Sequence, residues 1–235
     1  MPYLVSAVLP EGVHGAEVRG SGEEGTLLPP ERVAIAHAVV KRRREYAAAR
    51  RAARMAWEPL GVPAVPLLNA PTRDPIWPEG VVGALTHCDG YAAAAVARAD
   101  AVAAVGLDAE PNEPLPPGVW GTVSSPEERR ALHGLDPYRL GVALDRLLFC
   151  AKEATFKAWF PLTRRWLDFH EATVRIDPAG GFEVRLLLDR RAHEDPRLWH
   201  LSGRWCHDRD VVVVAITLPI GGGGGGTTAP GHDVD

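Results

Sequence analysis

The stretch Leu140–Phe160 constrains the fold most. Leu140, Leu144, Leu147, Leu148, Phe149, Phe156, Trp159 and Phe160 surround a helix on most of its sides. A helix apolar nearly all round is normally a buried one. Yet Arg146, Cys150, Glu153 and Lys157 recur along it at i, i+4, i+7 and i+11 and draw one narrow polar line. Charges in such a place cost several kcal/mol unless a partner or a metal compensates them. Glu153 and Lys157 can pair with each other, which is the bland explanation. Lys152 is left over, because it points about 100° away from Glu153.

A second charged cluster lies in GLDAE, where Asp108 and Glu110 end the apolar run that begins at Ala101. In a strand, residues i and i+2 share a face, about 6–7 Å apart at the backbone. Two like charges at that distance repel by about 2–3 kcal/mol at an effective dielectric near 20. A divalent cation between them reverses the sign, and oxygen-only ligands favour Mg²⁺ or Mn²⁺ over Zn²⁺. The competing reading is an exposed strand end with solvated acids. Taken together, three acids and two lysines in apolar runs suggest a site for a metal and an anion.

The spacing of punctuating residues predicts the elements. Residues 1–28 read as a strand plus loop. Pro29-Pro30-Glu31 opens a helix running to about Trp57, ended by Pro59 and Gly61. Strands are expected at Val81–Thr86, Tyr91–Ala97 and Ala101–Leu107, the first two joined at Asp89-Gly90. A Pro-rich linker follows at Pro111–Gly118. Ser125-Pro126-Glu127-Glu128 is a capping box. A helix from Asp136-Pro137 should stop before Pro161. Four strands come after it, near 171–176, 182–188, 201–206 and 211–218. The fold class is therefore α+β, with residues 1–110 and 111–220 as two halves that each read as helix then antiparallel strands. The Gly-rich tail 221–235 should be disordered, since it buries too little to order itself.

Composition narrows the class. With 235 residues, 46% hydrophobic, the chain allows one large domain or two packed small ones. A net charge of −4 argues against a general polyanion binder. Cys88, Cys150 and Cys206 are odd in number and scattered, which fits a reducing cytoplasm better than a disulfide framework. No run is long enough for a membrane span, and no signal peptide is expected. Arg42, Arg43, Arg44, Arg50, Arg51 and Arg54 crowd one helix. A solvated face, a nucleic-acid contact and a phosphate clamp all remain open there. The acidic total and the lack of stacking aromatics count against nucleic acid. His87 closes a strand at a tight turn, where a histidine is commonly a plain turn residue.

The segments GALTHCDGYAAAAVA (83–97), VGLDAEP (105–111) and RLLFCAKEATFKAWFP (146–161) together resemble the larger, Sfp-like 4′-phosphopantetheinyl transferases. The Gly-x-Asp-x-Glu and Lys-Glu-Ala-x-x-Lys blocks carry the likeness, and Thr-His-Cys points to the enterobactin-synthetase-activating and actinobacterial branch. The resemblance covers roughly residues 40–220. It implies a pseudo-twofold α+β fold of two subdomains with coenzyme A between them. It implies transfer of the phosphopantetheine arm of coenzyme A to a serine of an apo acyl or peptidyl carrier protein, in fatty-acid, polyketide, siderophore or nonribosomal peptide synthesis. Adenosine 3′,5′-bisphosphate leaves.

By that resemblance Asp108, Glu110 and Glu153 hold Mg²⁺ or Mn²⁺ against the pyrophosphate, and Glu153 is the general base. Lys152 and Lys157 neutralise phosphates, Lys157 beside the reacting centre. Thr86 and His87 lie in the coenzyme A segment, with His87 donating to a phosphate. Arg42 and Arg50 grip the 3′-phosphate. Arg73, Asp74 and Pro75 form the adenine loop. Asn69 stands where relatives often carry lysine, so Arg73 is the candidate replacement cation, and Ala84 stands where Ser is common. The expected protein is a monomer that binds no nucleic acid. The alternative is a non-catalytic regulator of the same fold that binds coenzyme A or a nucleotide.

Overall fold

The structure, a computed structural model, describes residues 3–189 and 195–221. Apart from Gly221, the tail expected to be disordered lies outside the described residues. A short 3₁₀ turn (Val5–Val8) precedes β1 (His14–Arg19). Then come α1 (Pro29–Ile35) and α2 (Val40–Trp57), and after them β2 (Val81–Cys88), β3 (Tyr91–Arg98) and β4 (Val102–Pro111). Three short helices follow: α3 (Trp120–Val123), α4 (Pro126–His133) and α5 (Pro137–Leu140). The long α6 (Leu144–Thr163) leads to β5 (Ala172–Asp177), β6 (Gly181–Leu186), β7 (His200–His207) and β8 (Val211–Pro219).

Among the described residues the strands form two antiparallel sheets, β1-β3-β2 and β4-β8-β7-β6-β5. β3 runs YAAAAVA with no polar alternation, because both of its faces are covered. Ala92, Ala94 and Val96 pack on the alanine face of α2, Ala48, Ala49, Ala52 and Ala53. Ala93, Ala95 and Ala97 meet Val105, Leu107 and Ala109 of β4 and Val213 of β8. The opposite faces of β4 and β8, through Ala104, Val212, Val214 and Ile216, pack with Leu147, Leu148, Ala151 and Ala154 of α6. The layers therefore run α2, small sheet, large sheet, α6. This is the buried α6 that the apolar periodicity demanded.

The expected long first helix is two helices, since the chain turns at 36–39, where Ala38 N–H donates to Ile35 O, before α2 restarts. The helix expected from Asp136 is likewise broken, at Gly141, whose φ of +68° is left-handed. α6 then passes through Pro161 to Thr163 rather than stopping before it. Pro161 falls in the last turn, where only one intrahelical bond is forfeited, and Arg164 N–H closes the end on Phe160 O at 2.8 Å. β4 pairs with β8, not with β2 or β3, so it belongs to the second sheet. Among the described residues no helix is long and apolar enough to cross a membrane.

Candidate active site

One close approach assembles the site. A side chain on Gly106 would place its Cβ 2.0 Å from Ala154 O and 3.0 Å from Ala158 Cβ. Only glycine lets β4 lie this near α6. Gly106, Asp108 and Glu110 alternate onto the face of β4 that meets α6. Asp108 there receives Lys157 Nζ on Oδ1 at 2.7 Å. Burial works against the Lys157 charge, but Asp108 overcomes it and raises the ammonium pKa. The Thr86 hydroxyl donates to the same Oδ1 at 3.0 Å and accepts from Ala109 N–H at 3.0 Å. Thr86 thus fastens β2 to β4.

Asp108 Oδ2 is buried with no hydrogen-bond partner. The fully buried Cys150 thiol is a poor remedy, as thiols are weak donors. Burial and then Asp108 push Glu110 up to about 7, against the pull of Arg146, which donates to its Oε2 at 3.0 Å. Burial and Asp108 also raise the Glu153 carboxyl. Among the described residues no three acidic, His or Cys side chains converge as a finished metal cage. The expected Asp108–Glu110–Glu153 set is not preassembled: Lys157 takes one oxygen of Asp108 and Arg146 one of Glu110, so each acid keeps its other oxygen for a further partner. The donor chemistry still fits a hard divalent cation. The donors are oxygens, one is orphaned in the interior, and burial, then the charge of Asp108, holds two carboxyls high.

Asp108, Glu153 and Lys157 line a cleft of about 930 Å³, whereas Glu110 is not among its lining residues. Arg42, Arg50 and His87 line it too, from α2 and the end of β2. Arg42 Nη1 meets His87 Nε2 at 2.6 Å, so Nε2 is the acceptor and Nδ1 carries the proton towards Glu45, 3.9 Å away. Burial and then Arg42 lower the His87 pKa, leaving the ring neutral near pH 7. Arg50 is only 4% exposed and lies 3.4 Å over the Tyr46 ring. Burial lowers it to about 10. Its Nε donates to Leu67 O at 3.1 Å and its Nη2 to Asn69 Oδ1. Asn69 is therefore an anchor for Arg50.

The loop Asn69–Pro75 closes on itself through an isolated bridge between its ends and through Ala70 N–H to Asp74 O at 2.9 Å. Arg73 sits at its tip with φ +71° and is exposed. Asp74 is partly buried, but the Thr72 hydroxyl and Arg164 hold its carboxyl below the usual range. The Arg164 contact, 2.8 Å, ties the loop to the end of α6. The remaining wall is apolar: Ile76, Phe156, Phe160 and Trp166. Periodicity assigns Phe156 and Phe160 to the core; Phe156 packs against the core and lines the cleft as well, and Phe160 lines the cleft.

Lys152 does not line the cleft. Its ammonium points away from the cleft and is 2% exposed. It donates to Val123 O at 2.8 Å, Glu128 Oε2 at 2.9 Å and Phe169 O at 2.7 Å, which uses all three protons. It is an interior staple, not a phosphate ligand. Arg43 and Arg54 also leave the phosphate clamp. Arg43 pairs with Glu24, and Arg54 with the fully buried Glu31. Glu31 also accepts from Leu67 N–H at 2.9 Å, which holds the segment before Asn69 against α2. In the sequence Glu31 and Glu128 read only as helix-start residues and Arg146 only as one member of the polar line of α6, because each takes its partner from far along the chain.

Comparison with known proteins agrees with this geometry. The family described as 4′-phosphopantetheinyl transferase N-terminal domain matches residues 30–97. The 4′-phosphopantetheinyl transferase superfamily matches residues 104–216. The chain is 45% identical to 4′-phosphopantetheinyl transferase PptT of Mycobacterium tuberculosis over 226 residues, 92% of this chain and 98% of that protein. It is 50% identical to 4′-phosphopantetheinyl transferase Svp of Streptomyces mobaraensis over 193 residues, 82% and 78% of the two chains. It is also 32% identical to enterobactin synthase component D of Escherichia coli K12 over 138 residues, 58% of this chain and 64% of that one. With both halves matched and the Mycobacterium tuberculosis relative aligned over 98% of its length at 45% identity, the chain belongs to the 4′-phosphopantetheinyl transferase family.

Proposed function

We propose that this enzyme moves the 4′-phosphopantetheine arm of coenzyme A onto a serine of an apo acyl or peptidyl carrier protein and releases adenosine 3′,5′-bisphosphate. The observation that carries the reading is one cleft lined by the cations Arg42, Arg50 and Lys157, by His87 and by the acids Asp108 and Glu153. A nucleotide diphosphate with a further phosphate matches that set of charges. Arg42 and Arg50 take the 3′-phosphate, since arginine pairs with phosphate in a planar fork. Arg73, Asp74 and Pro75 border the adenine, and Ile76, Phe156, Phe160 and Trp166 flank the apolar arm. His87, being neutral, offers a phosphate only the Nδ1–H that points towards Glu45 and adds no charge.

The serine Oγ forms a bond to the phosphorus that carries the arm, while the bond from that phosphorus to the bridging oxygen breaks. The serine proton passes to Glu153, directly or through one water. Burial has raised that carboxyl, which makes it a stronger base. Lys157 neutralises charge gathering on the phosphoryl oxygens. Asp108, Glu110 and Glu153 would hold a divalent cation, Mg²⁺ or Mn²⁺, which when bound neutralises the pyrophosphate. Magnesium is the better fit for an all-oxygen set.

We further read α2 on the small sheet and α6 on the large sheet as two pseudo-twofold subdomains that work as a monomer. The carrier docks around Val119–Leu132, which leads out of the Glu110 strand, and the exposed Arg130 faces its acidic surface. Carriers of siderophore, polyketide or peptide assembly fit this scheme. Cys88, Cys150 and Cys206 are free thiols, as suits a reducing cytoplasm.

The test is to incubate the protein with coenzyme A, Mg²⁺ and an apo carrier and to weigh the carrier. The expected result is the added mass of one phosphopantetheine. Bound coenzyme A with no mass gain across several carrier classes would instead identify a non-catalytic regulator.

A further inference from the structure

Arg146 stands in the first turn of α6, within the narrow polar line of that helix, and the reaction scheme gives it no part. All three guanidinium nitrogens are spent. Nη1 donates to Glu110 Oε2 at 3.0 Å, Nε to Glu113 O at 3.0 Å and Nη2 to Pro114 O at 3.1 Å. The side chain is 14% exposed, against 22% for Glu110. Its neighbour Asp145 accepts from Leu115 N–H at 2.9 Å. Two consecutive residues of α6 thus pin three consecutive residues of the segment that leaves β4. Neither Arg146 nor Asp145 lines the cleft.

We infer that Arg146 is a positioning residue for the metal. It fixes the Glu110 carboxylate to α6, the helix that carries Glu153 seven residues, about 10 Å, further along. Asp108 is referenced to α6 by Lys157, and Glu110 by Arg146. One rigid helix therefore sets the spacing of all three acids, although two of them belong to β4. The fork matters as well as the charge. A lysine could neutralise Glu110, but it could not hold three acceptors in one plane. Because Glu113 and Pro114 begin the path to α3 and α4, the same guanidinium ties that path to the metal acids.

The inference rests on Glu110 being a metal ligand, so the experiment separates the two claims. Mn²⁺ binding to the full chain is measured by electron paramagnetic resonance of the free ion, with coenzyme A present, for the parent protein, Glu110→Gln, Arg146→Gln, Arg146→Lys and the double variant Glu110→Gln/Arg146→Gln. Partners one step removed from a metal typically set its affinity by about 10- to 100-fold. Arg146→Gln should lose affinity on that scale, and Arg146→Lys should lose an intermediate amount. Adding Arg146→Gln to Glu110→Gln should cost nothing more. In the Arg146 variants coenzyme A binding without metal should change far less than Mn²⁺ binding, and an equal loss of both would overturn the inference. Thermal melting accompanies every variant, and Arg146→Lys supplies the answer should Arg146→Gln fold poorly.

Parent-like Mn²⁺ binding in both Arg146 variants would overturn the inference. So would an equal further loss in the Glu110→Gln background, the mark of a merely structural role. Unchanged Mn²⁺ binding in Glu110→Gln would remove the premise itself, because Glu110 would then be no ligand.

Discussion

Replacing Lys152 by methionine separates two accounts of the Lys-Glu-Ala-x-x-Lys block. Methionine keeps the apolar stem and deletes the ammonium. Val123 O and Phe169 O then lose their donor, and the Glu128 carboxylate, with a side chain 0% exposed, loses its counter-charge. Two backbone bonds to Glu128 remain, from Ser125 N–H at 2.7 Å and Val174 N–H at 2.9 Å. Removing one partner of a buried pair costs roughly 3–5 kcal/mol, because the survivor is left charged in the interior. For a chain of this size each kcal/mol moves the melting temperature by about 2–4 °C, so the expected fall is roughly 6–20 °C. Glu128→Gln/Lys152→Met should recover part of the loss, since no unpaired charge remains. The assay is thermal melting beside calorimetric titration with coenzyme A, well below the variant's transition. A Lys152→Met protein that melts like the parent but no longer binds coenzyme A would refute the reasoning and return Lys152 to the phosphates.

Gly106→Ala should cost about 1–3 kcal/mol by forcing β4 from α6, and holo-carrier formation should fall because Asp108 moves from Glu153; a parent-like melting curve would contradict this. Arg42→Ala should weaken coenzyme A by roughly 10- to 100-fold, the worth of a charge-assisted bond, while leaving 3′-dephospho-coenzyme A binding unchanged, as titration with both ligands would show. Without metal, Glu110 holds its proton up to about pH 7 instead of its ordinary 4.5. The folded state then binds the extra proton between those values, so the metal-free protein loses stability as pH rises through that window. Metal needs the carboxylate, so Mg²⁺ affinity should rise from pH 6 to pH 8, with proton release on binding at pH 6; calorimetry showing a flat affinity would count against it.

What the sequence shows plainly is local. The Asp89-Gly90 turn, the Ser125–Glu128 capping box and the apolar sides of α6 are each written in a few adjacent residues, and the structure keeps them. The break at Gly141 was missed because Asp136-Pro137 starts a helix whichever way the chain later turns. Pro161 misled because its cost depends on its place in the helix, and the last turn forfeits little. β4 looked like a third strand of the first sheet, since pairing with β8, about a hundred residues on, leaves no local mark. The site divides in the same way. Asp108, Glu153 and Lys157 were legible because charges in apolar runs need a reason. Lys152 is as conspicuous in its apolar run, yet its partner is Glu128, which already has a local role in the capping box and so carries no sign of the long-range pair. Gly106 counted only as a motif letter until the distance to Ala154 O gave it a physical cause.

The most direct test of the account compares the parent protein with Glu153→Gln for holo-carrier formation by intact mass, at coenzyme A and Mg²⁺ concentrations where titration shows both variants loaded. Glutamine keeps the size of the side chain but cannot take the serine proton. The account predicts the phosphopantetheine mass on the carrier with the parent and, with Glu153→Gln, a rate lower by about 100-fold or more, the usual worth of a positioned base. Transfer at the parent rate by the fully loaded Glu153→Gln protein would contradict it.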